Sequence, residues 1–110
     1  MISGPDTLLI VDDDTANCDL MLRRLRKRGF EASLASDGRS ALEWINSHPV
    51  DLVLLDVQMP DMDGVQVLKT LRQTYTPAQL PIIMVTGKAS SDDVVSALAA
   101  GANDYVTKPI

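Results

Sequence analysis

The sequence predicts an α/β fold, a doubly wound parallel sheet of five strands, from three observations. Short apolar runs alternate with segments of helical periodicity along the whole chain. The runs are continuously apolar, as in 52–55 (LVLL), which is typical of strands covered on both faces. Several runs also end abruptly in a polar residue such as Asp56. The pattern therefore places polar side chains at the carboxyl edge of a buried sheet with right-handed crossovers.

Length and composition are those of one ordinary globular domain. The chain has 110 residues, of which 45% are hydrophobic and 23% charged, and it contains no internal repeat. Its net charge of −5 disfavours binding to the phosphate backbone of nucleic acids and favours a metal or a cationic partner. Cys18 is the only cysteine, which excludes an internal disulfide. The N-terminus is not signal-like and no apolar run approaches a membrane span, so we expect a cytoplasmic protein.

The first strand and helix follow from one apolar run and one helical stripe. The run predicts a strand over Thr7–Val11, which three aspartates follow at once. Apolar residues then recur at helical spacing and predict a helix over Thr15–Arg28, which Gly29 ends. The other face of this helix carries five cations within 23–28, and we interpret it as a solvated surface.

The second strand is predicted over Glu31–Ala35. Asp37 and Gly38 form the turn into the second helix, whose apolar stripe includes Ala41 and Ile45. The dipeptide 48–49 (HP) ends that helix before the central strand, which runs from Leu52 into Asp56.

The third helix begins after a loop rich in turn residues. Gly64, Val67, Leu68 and Leu71 mark it, and Pro81 closes the loop that follows. The fourth strand is predicted over 82–85 and ends in Thr86 and Gly87. A helix capped near Ser90 or Ser91 comes next and ends at Gly101, and the last strand is Asp104–Thr107.

The polar residues at the strand ends predict a phosphate and metal site, because ligands of open parallel sheets bind beyond the carboxyl ends of the strands. Clustered carboxylates repel one another unless a cation bridges them or some take up protons, and all-oxygen ligands favour Mg²⁺. A lysine ammonium and a threonine hydroxyl suit phosphoryl oxygens. The converging residues are Asp12, Asp13 and Asp14 after the first strand, Asp56 after the third, Thr86 after the fourth and Lys108 after the fifth.

Four motifs together resemble the receiver domain of bacterial response regulators, the signalling proteins of two-component systems. They are VDDD at 11–14, LLDVQMPDMDG at 54–64, MVTG at 84–87 and YVTKP at 105–109. The resemblance covers essentially the whole chain. It implies a flavodoxin-like strand order 2-1-3-4-5 and a phosphorylation-dependent switch. Such a switch is a phosphoacceptor module that catalyses its own phosphoryl transfer and hydrolysis, and it is not an enzyme with a separate substrate.

The resemblance implies a role for each site residue. Asp56 matches the phosphoacceptor, which takes a phosphoryl group from a phosphohistidine in a Mg²⁺-dependent reaction. Asp13 matches the direct metal ligand and Asp12 its acidic companion. Gln58 matches the residue that lends a backbone carbonyl to the metal.

Three further positions match the residues that read the phosphoryl group. Thr86 matches the hydroxyl that moves to bond the aspartyl phosphate, and Lys108 matches the cation of the site. Tyr105 matches the aromatic switch residue that turns inward afterwards. Pro109 matches a proline with a preceding cis peptide bond that aims Lys108 into the site.

The implied partners are a sensor histidine kinase or a histidine phosphotransfer protein, and an output domain in the same chain or in a partner. The family also uses its fourth helix, last strand and fifth helix for homodimer and output contacts, and the first helix for the kinase contact. No membrane and no direct nucleic acid are expected for this domain. A fifth helix should follow Pro109, so we expect residues 1–110 to be a receiver domain without its C-terminal helix, the N-terminal part of a longer regulator. An exchanged or partner-supplied helix is the alternative.

Two other functions stay open at this point. Asp12 and Asp14 after an apolar strand are similar to the paired aspartates of haloacid dehalogenase-like phosphatases, although the threonine of those enzymes would fall at Ala16. A flavodoxin-type flavin domain would need a Ser, Thr and Gly-rich loop after the first strand, where three aspartates would instead repel phosphate.

Overall fold

The computed structural model describes residues 6–59, 62–87 and 91–107. It contains one parallel sheet with the strand order 2-1-3-4-5, as the fold-class prediction requires. The described elements are β1 Thr7–Val11, α1 Thr15–Lys27, β2 Glu31–Ala35, α2 Gly38–Ser47, β3 Leu52–Asp56, α3 Gly64–Arg72, β4 Ile82–Thr86, α4 Ser91–Ala99 and β5 Asp104–Thr107. Four helices lie within the described residues, and the position of a fifth helix after Pro109 lies outside them.

The register of the sheet brings the carboxyl ends of its central strands together. β1 pairs with both β2 and β3, and Val11 lies opposite Ala35 and Leu55. β3 pairs with β4 so that Asp56 lies opposite Val85, and β4 pairs with β5. β2 is added on one side of β1, and β3, β4 and β5 are added in turn on its other side. The topological switch point therefore lies between β1 and β3.

Two apolar cores lie on opposite faces of the sheet, because successive strand side chains alternate between faces. Leu9, Val11 and Val53 face α2, α3 and α4 in the larger core, and Leu8 and Ile10 face α1 in the smaller one. Cys18 is also buried in the smaller core. Burying one such large apolar side chain contributes roughly 1.5–3 kcal/mol.

Two helices begin at aspartate caps. Asp37 precedes α2, and its Oδ1 accepts a hydrogen bond from the backbone N–H of Ser40 at 2.7 Å. This backbone bond is the main cause that lowers the pKa of Asp37, and a bond from the Ser40 side chain lowers it further. Asp63 precedes α3 in a capping box, in which Gln66 N–H donates to Asp63 Oδ1 at 2.9 Å and Asp63 N–H donates to Gln66 Oε1 at 3.0 Å.

Two helices end at glycines in the left-handed region. Gly29 follows α1 with φ 96°, and Gly101 follows α4 with φ 112°. In both cases the N–H groups of the glycine and of the residue after it donate to carbonyls near the end of the helix, which is a Schellman motif. Phe30 N–H, for example, donates to Leu25 O at 3.1 Å. The predicted ends are thus confirmed, with α1 ending at Lys27, one residue earlier than predicted.

A stacked pair of rings closes α2. His48 is the C-cap residue, and its N–H donates to Trp44 O at 2.9 Å. Its imidazole lies on the indole of Trp44, with ring centroids 3.7 Å apart and planes 10° from parallel. The indole is half-buried against the larger core, and its Nε1 has no hydrogen-bond partner within the described part of the chain.

Arg72 joins three segments at the amino edge of the sheet. Its guanidinium donates to Gly101 O and Leu80 O, each at 2.8 Å, and to Asn103 Oδ1 at 2.9 Å, with longer bonds to two more carbonyls. Asn103 Oδ1 also accepts from Ile82 N–H at 3.0 Å. The end of α3, the start of β4 and the start of β5 are thereby held together.

Among the described residues, no helix combines the length and the apolarity that crossing a membrane requires.

Candidate functional site

Three carboxylates meet at the carboxyl edge of the sheet. One oxygen each of Asp12, Asp13 and Asp56 lies within 4.8 Å of the other two. Asp12 follows β1 and Asp56 ends β3, so the pairing of these strands carries both side chains to one place. Asp12 and Asp56 are buried, each 5% exposed, and Asp13 is exposed. The three carboxylates converge as the strand assignment predicted, while their functional roles remain predictions.

The two strand ends share a local backbone motif. Asp12 Oδ1 accepts a hydrogen bond from Asp14 N–H at 2.9 Å, and Asp56 Oδ1 accepts one from Gln58 N–H at 3.3 Å. A side chain that bonds the backbone two residues on forms an Asx turn, which aspartate favours. Each turn fixes the orientation of its carboxylate relative to the end of its strand.

Gly64 lets the loop after β3 fold back onto Asp56. Its N–H donates to Val57 O at 2.9 Å. A Cβ at this position would overlap the carbonyl oxygen of Asp56 and lie 2.9 Å from both Asp56 C and Val57 Cα. Only glycine fits without displacing the backbone that carries the central carboxylate.

Thr86 lies on the strand beside Asp56. It ends β4 and is 2% exposed. Asp56 is paired with Val85, the residue before Thr86, and Val57 N–H donates to Val85 O at 3.0 Å. The hydroxyl therefore comes from the strand next to the acidic cluster, one position nearer the carboxyl edge.

The remaining predicted residues lie around this edge or outside the described chain. Gln58 is exposed in the loop directly after Asp56. Tyr105 lies on β5 opposite Met84 and is half-buried against the larger core. Lys108 and Pro109 lie outside the described residues, so their predicted contributions are untested.

The donor set fits a hard divalent cation. All three side chains offer carboxylate oxygens, which suit Mg²⁺, and no sulfur or imidazole belongs to the cluster among the described residues. Mg²⁺ usually keeps several waters, and the exposed Asp13 places one side of the cluster in contact with solvent. The cluster can therefore bind a metal and still leave coordination positions for a substrate oxygen.

Comparison with known proteins agrees with this geometry. Residues 8–110 match the family described as response regulator receiver domain. The chain is 41% identical over 110 residues to the transcriptional regulatory protein ZraR of Salmonella typhimurium, which covers 100% of this chain and 24% of ZraR. It resembles the CheY-like receiver domain of Methanospirillum hungatei JF-1 with a TM-score of 0.89 and 36% identity, over 97% of this chain and 84% of that one.

A third similar protein was solved in a modified state. The response regulator of Burkholderia pseudomallei, described with a phosphorylated aspartic acid, a calcium ion and citrate, has a TM-score of 0.87 and 25% identity, over 96% of this chain and 61% of that one. The chain spans less than half the length of the curated relatives it matches.

This chain belongs to the response regulator receiver domain family, the phosphorylation-dependent switches of two-component systems.

Sequence reasoning missed two features that support the site. The first is the capping box of Asp63 and Gln66 at the start of α3. Its signature, the D-x-x-Q spacing before an apolar stripe, is visible in the sequence and could have predicted it. The close approach of Gly64 to Asp56 has no sequence signal beyond the glycine itself, because it depends on how the loop returns to the strand. Both features hold the loop that carries Gln58.

Proposed function

We propose that Asp56 accepts a phosphoryl group from a phosphohistidine of a sensor kinase or phosphotransfer protein, in a Mg²⁺-dependent reaction that this domain itself catalyses, as it does the later hydrolysis. The observation that carries the proposal is the convergence of Asp12, Asp13 and Asp56 within 4.8 Å at the switch point of the sheet. The aspartyl phosphate and bound cation described for the Burkholderia relative support it.

The transfer needs positioning more than covalent help from the protein. An oxygen of Asp56 attacks phosphorus, the phosphorus–nitrogen bond of the donor breaks, and the imidazole leaves with the electron pair and takes up a proton. Asp12, Asp13, Asp56 and the backbone carbonyl of Gln58 would hold Mg²⁺. When bound, Mg²⁺ supplies positive charge to the phosphoryl oxygens.

Two further side chains complete the proposed site. The hydroxyl of Thr86 donates to one phosphoryl oxygen, and the ammonium of Lys108 neutralises another. For hydrolysis, the same groups stabilise attack by water on phosphorus, with the Asp56 carboxylate as leaving group. The buried position of Asp56 limits the direction from which either nucleophile approaches.

The switch would act through Thr86 and Tyr105. A phosphoryl group on Asp56 draws the Thr86 hydroxyl toward it, which empties space beside Tyr105 on the neighbouring strand. Tyr105 is half-buried against the larger core and would then turn inward. The surface that changes includes α4, where Val95 and Leu98 are exposed, and this surface would serve an output domain or a second copy.

We further propose that the domain is the receiver module of a longer regulator, with its output domain in the same chain or in a partner. The relatives' greater length supports this. Ile83 and Val106 lie half-exposed on the α1 side of the sheet, where a further helix would cover them. Nucleic-acid contacts would come from the output domain. Because phosphohistidine is made from ATP, the same proposal puts the domain in the cytoplasm.

Intact mass spectrometry after incubation with acetyl phosphate and Mg²⁺ tests the phosphoacceptor. We expect one phosphoryl adduct on the unchanged chain and on the control Asp6→Asn, which alters an exposed carboxylate at the amino edge. We expect no adduct on Asp56→Asn or in EDTA. An adduct that survives Asp56→Asn but disappears in Asp12→Asn would instead identify a nucleophile on the first strand, as in the phosphatases.

Calorimetric Mg²⁺ titration tests the metal site separately. Asp12→Asn and Asp13→Asn each remove one carboxylate from the cluster, and we expect Mg²⁺ affinity to fall by about tenfold or more in each. The control is again Asp6→Asn, which should bind Mg²⁺ as the unchanged chain does. Equal affinity in all four proteins would show that Mg²⁺ binds elsewhere.

A further inference from the structure

Half of the chain's positive charge lies in one short segment. Five of the ten lysines and arginines fall within residues 23–28, which contain no acidic residue. The rest of the chain carries fifteen acidic side chains against five basic ones. The C-terminal half of α1 is therefore a cationic patch on a strongly acidic domain.

Two of these five cations have structural partners. Arg23 forms an ion pair with Asp19 at 2.9 Å, and Arg26 donates twice to Ala32 O, at 2.9 and 3.2 Å. Arg24, Lys27 and Arg28 make no side-chain hydrogen bond or ion pair within the described part of the chain. Arg24 and Lys27 lie three positions apart in the last turn of α1 and Arg28 follows it directly, so the three charges are close together and repel one another.

The helix dipole does not account for this arrangement. Cations are favoured near a helix C-terminus because the last carbonyls lack partners. Here the Schellman motif at Gly29 already satisfies carbonyls of the last turn, through Phe30 N–H to Leu25 O and Gly29 N–H to Arg26 O, both at 3.1 Å. The three cationic side chains are thus not needed as caps.

The three side chains line a common cavity. This cavity is open to solvent and has a volume of about 430 Å³, and among the described residues Arg24, Lys27 and Arg28 form its lining. Small-molecule sites have volumes of roughly 300–1,000 Å³. A cavity lined by cations recognises its ligand by charge.

This cavity is remote from the acidic cluster. α1 begins at Thr15 beside the carboxyl edge and has 13 residues, so its C-terminus lies about 20 Å further along the helix axis. A ligand here would not touch Asp12, Asp13 or Asp56. The cavity is therefore a separate site from the proposed phosphoacceptor.

We propose that Arg24, Lys27 and Arg28 bind a small polyphosphate, a group of two or three linked phosphates. Guanidinium forks match phosphate oxygens in pairs, and the lysine adds a compact point charge. A long polyanion such as nucleic acid would extend over the acidic remainder of the domain, whereas a small one fits within the patch. Binding also relieves the repulsion among the three cations.

Calorimetric titration with tripolyphosphate, in EDTA so that the acidic cluster holds no metal, tests the proposal. The double variant Arg24→Gln with Arg28→Gln should bind about tenfold more weakly or worse. The matched control is Arg39→Gln with Lys69→Gln, which removes the same charge from exposed positions on α2 and α3. Its affinity should change by less than about twofold. Glutamine preserves helix propensity, and circular dichroism checks that both variants fold.

Amide chemical shifts and a second probe complete the test. Tripolyphosphate should shift the amides of residues 24–29 most, and ATP, which carries the same three phosphates, should bind comparably. Equal weakening in both double variants, shifts centred elsewhere, or binding of ATP without binding of tripolyphosphate would overturn the proposal.

Discussion

The two edges of the sheet differ in what surrounds their charged side chains. At the carboxyl edge, Asp12, Asp13 and Asp56 place three like charges together. At the amino edge, the guanidinium of Arg72 is surrounded by five neutral oxygen acceptors from neighbouring segments. Burial lowers the pKa of Arg72, but a guanidinium stays charged at neutral pH.

The comparison separates stability from chemistry. The Arg72 network at the amino edge is complete in itself, because its cation is matched by carbonyls and by Asn103, whose Nδ2 also donates to Pro77 O at 3.1 Å. The carboxyl edge gathers charges of one sign and is completed by a cation from outside. Changes at the first edge should therefore act on folding, and changes at the second on binding and transfer.

We expect the largest effect from Gly64→Ala, which is an exception to this division. Gly64 lies at the carboxyl edge, and yet its substitution should reduce the stability of the fold. The added Cβ would meet backbone atoms of Asp56 and Val57, which cannot move without shifting β3. We expect a loss of about 3 kcal/mol or more in the free energy of unfolding, measured by urea denaturation.

The control for Gly64→Ala is Gly87→Ala at the same edge. A Cβ at Gly87 has no atom within 4 Å, so its effect should stay within about 0.5 kcal/mol. Similar losses in the two variants would show that the close approach at Gly64 is not what constrains the loop.

Arg72→Met tests the amino edge. It removes the donor of Gly101 O and of Leu80 O and one of the two donors of Asn103 Oδ1, which keeps its bond from Ile82 N–H, and we expect a loss of about 2 kcal/mol by urea denaturation. Arg72→Lys should restore only part of this, since a lysine cannot reproduce the planar fork. Lys69→Met, exposed on the same helix, is the control. A loss no larger than in that control would mean that the Arg72 network contributes nothing to stability.

The smallest effect on stability is expected at Asp37, a carboxylate at the carboxyl edge that caps α2 and does not belong to the acidic cluster. Its pKa is lowered in the folded state, so its ionised form stabilises the fold above the unfolded pKa of about 3.9. This contribution is lost as the pH falls through the folded pKa.

Asp37→Asn keeps the cap and removes the charge. The difference in Tm between the two proteins should be constant above about pH 5 and should shrink in more acidic buffers. Thermal unfolding at pH 7 down to pH 3 measures it, and a difference that does not change with pH would contradict the assignment.

The fold was predictable because its signals are local. Continuous apolar runs marked β1, β3 and β4, and Gly29 and Gly101 marked helix ends that require positive φ. The aspartates of the site were visible for the same reason, since each directly follows or ends a strand. The order of strands came from the resemblance to a family, since periodicity alone does not say which strands are neighbours.

What escaped prediction depends on contacts between distant residues. The bond from Arg72 to Asn103 spans 31 positions, and neither residue belongs to a recognisable motif. Arg26 was assigned to a solvated face, yet it donates to Ala32 O, because the chain turns back after Gly29. Such contacts are products of the assembled fold.

The stacked rings of Trp44 and His48 give this protein a built-in optical reporter. Trp44 is the only tryptophan in the chain, and the only histidine lies against it. Because the imidazole covers one face of the indole, emission from Trp44 will change when the end of α2 frays as well as when the whole domain melts, so fluorescence traces need a second, backbone-sensitive signal before they are read as unfolding.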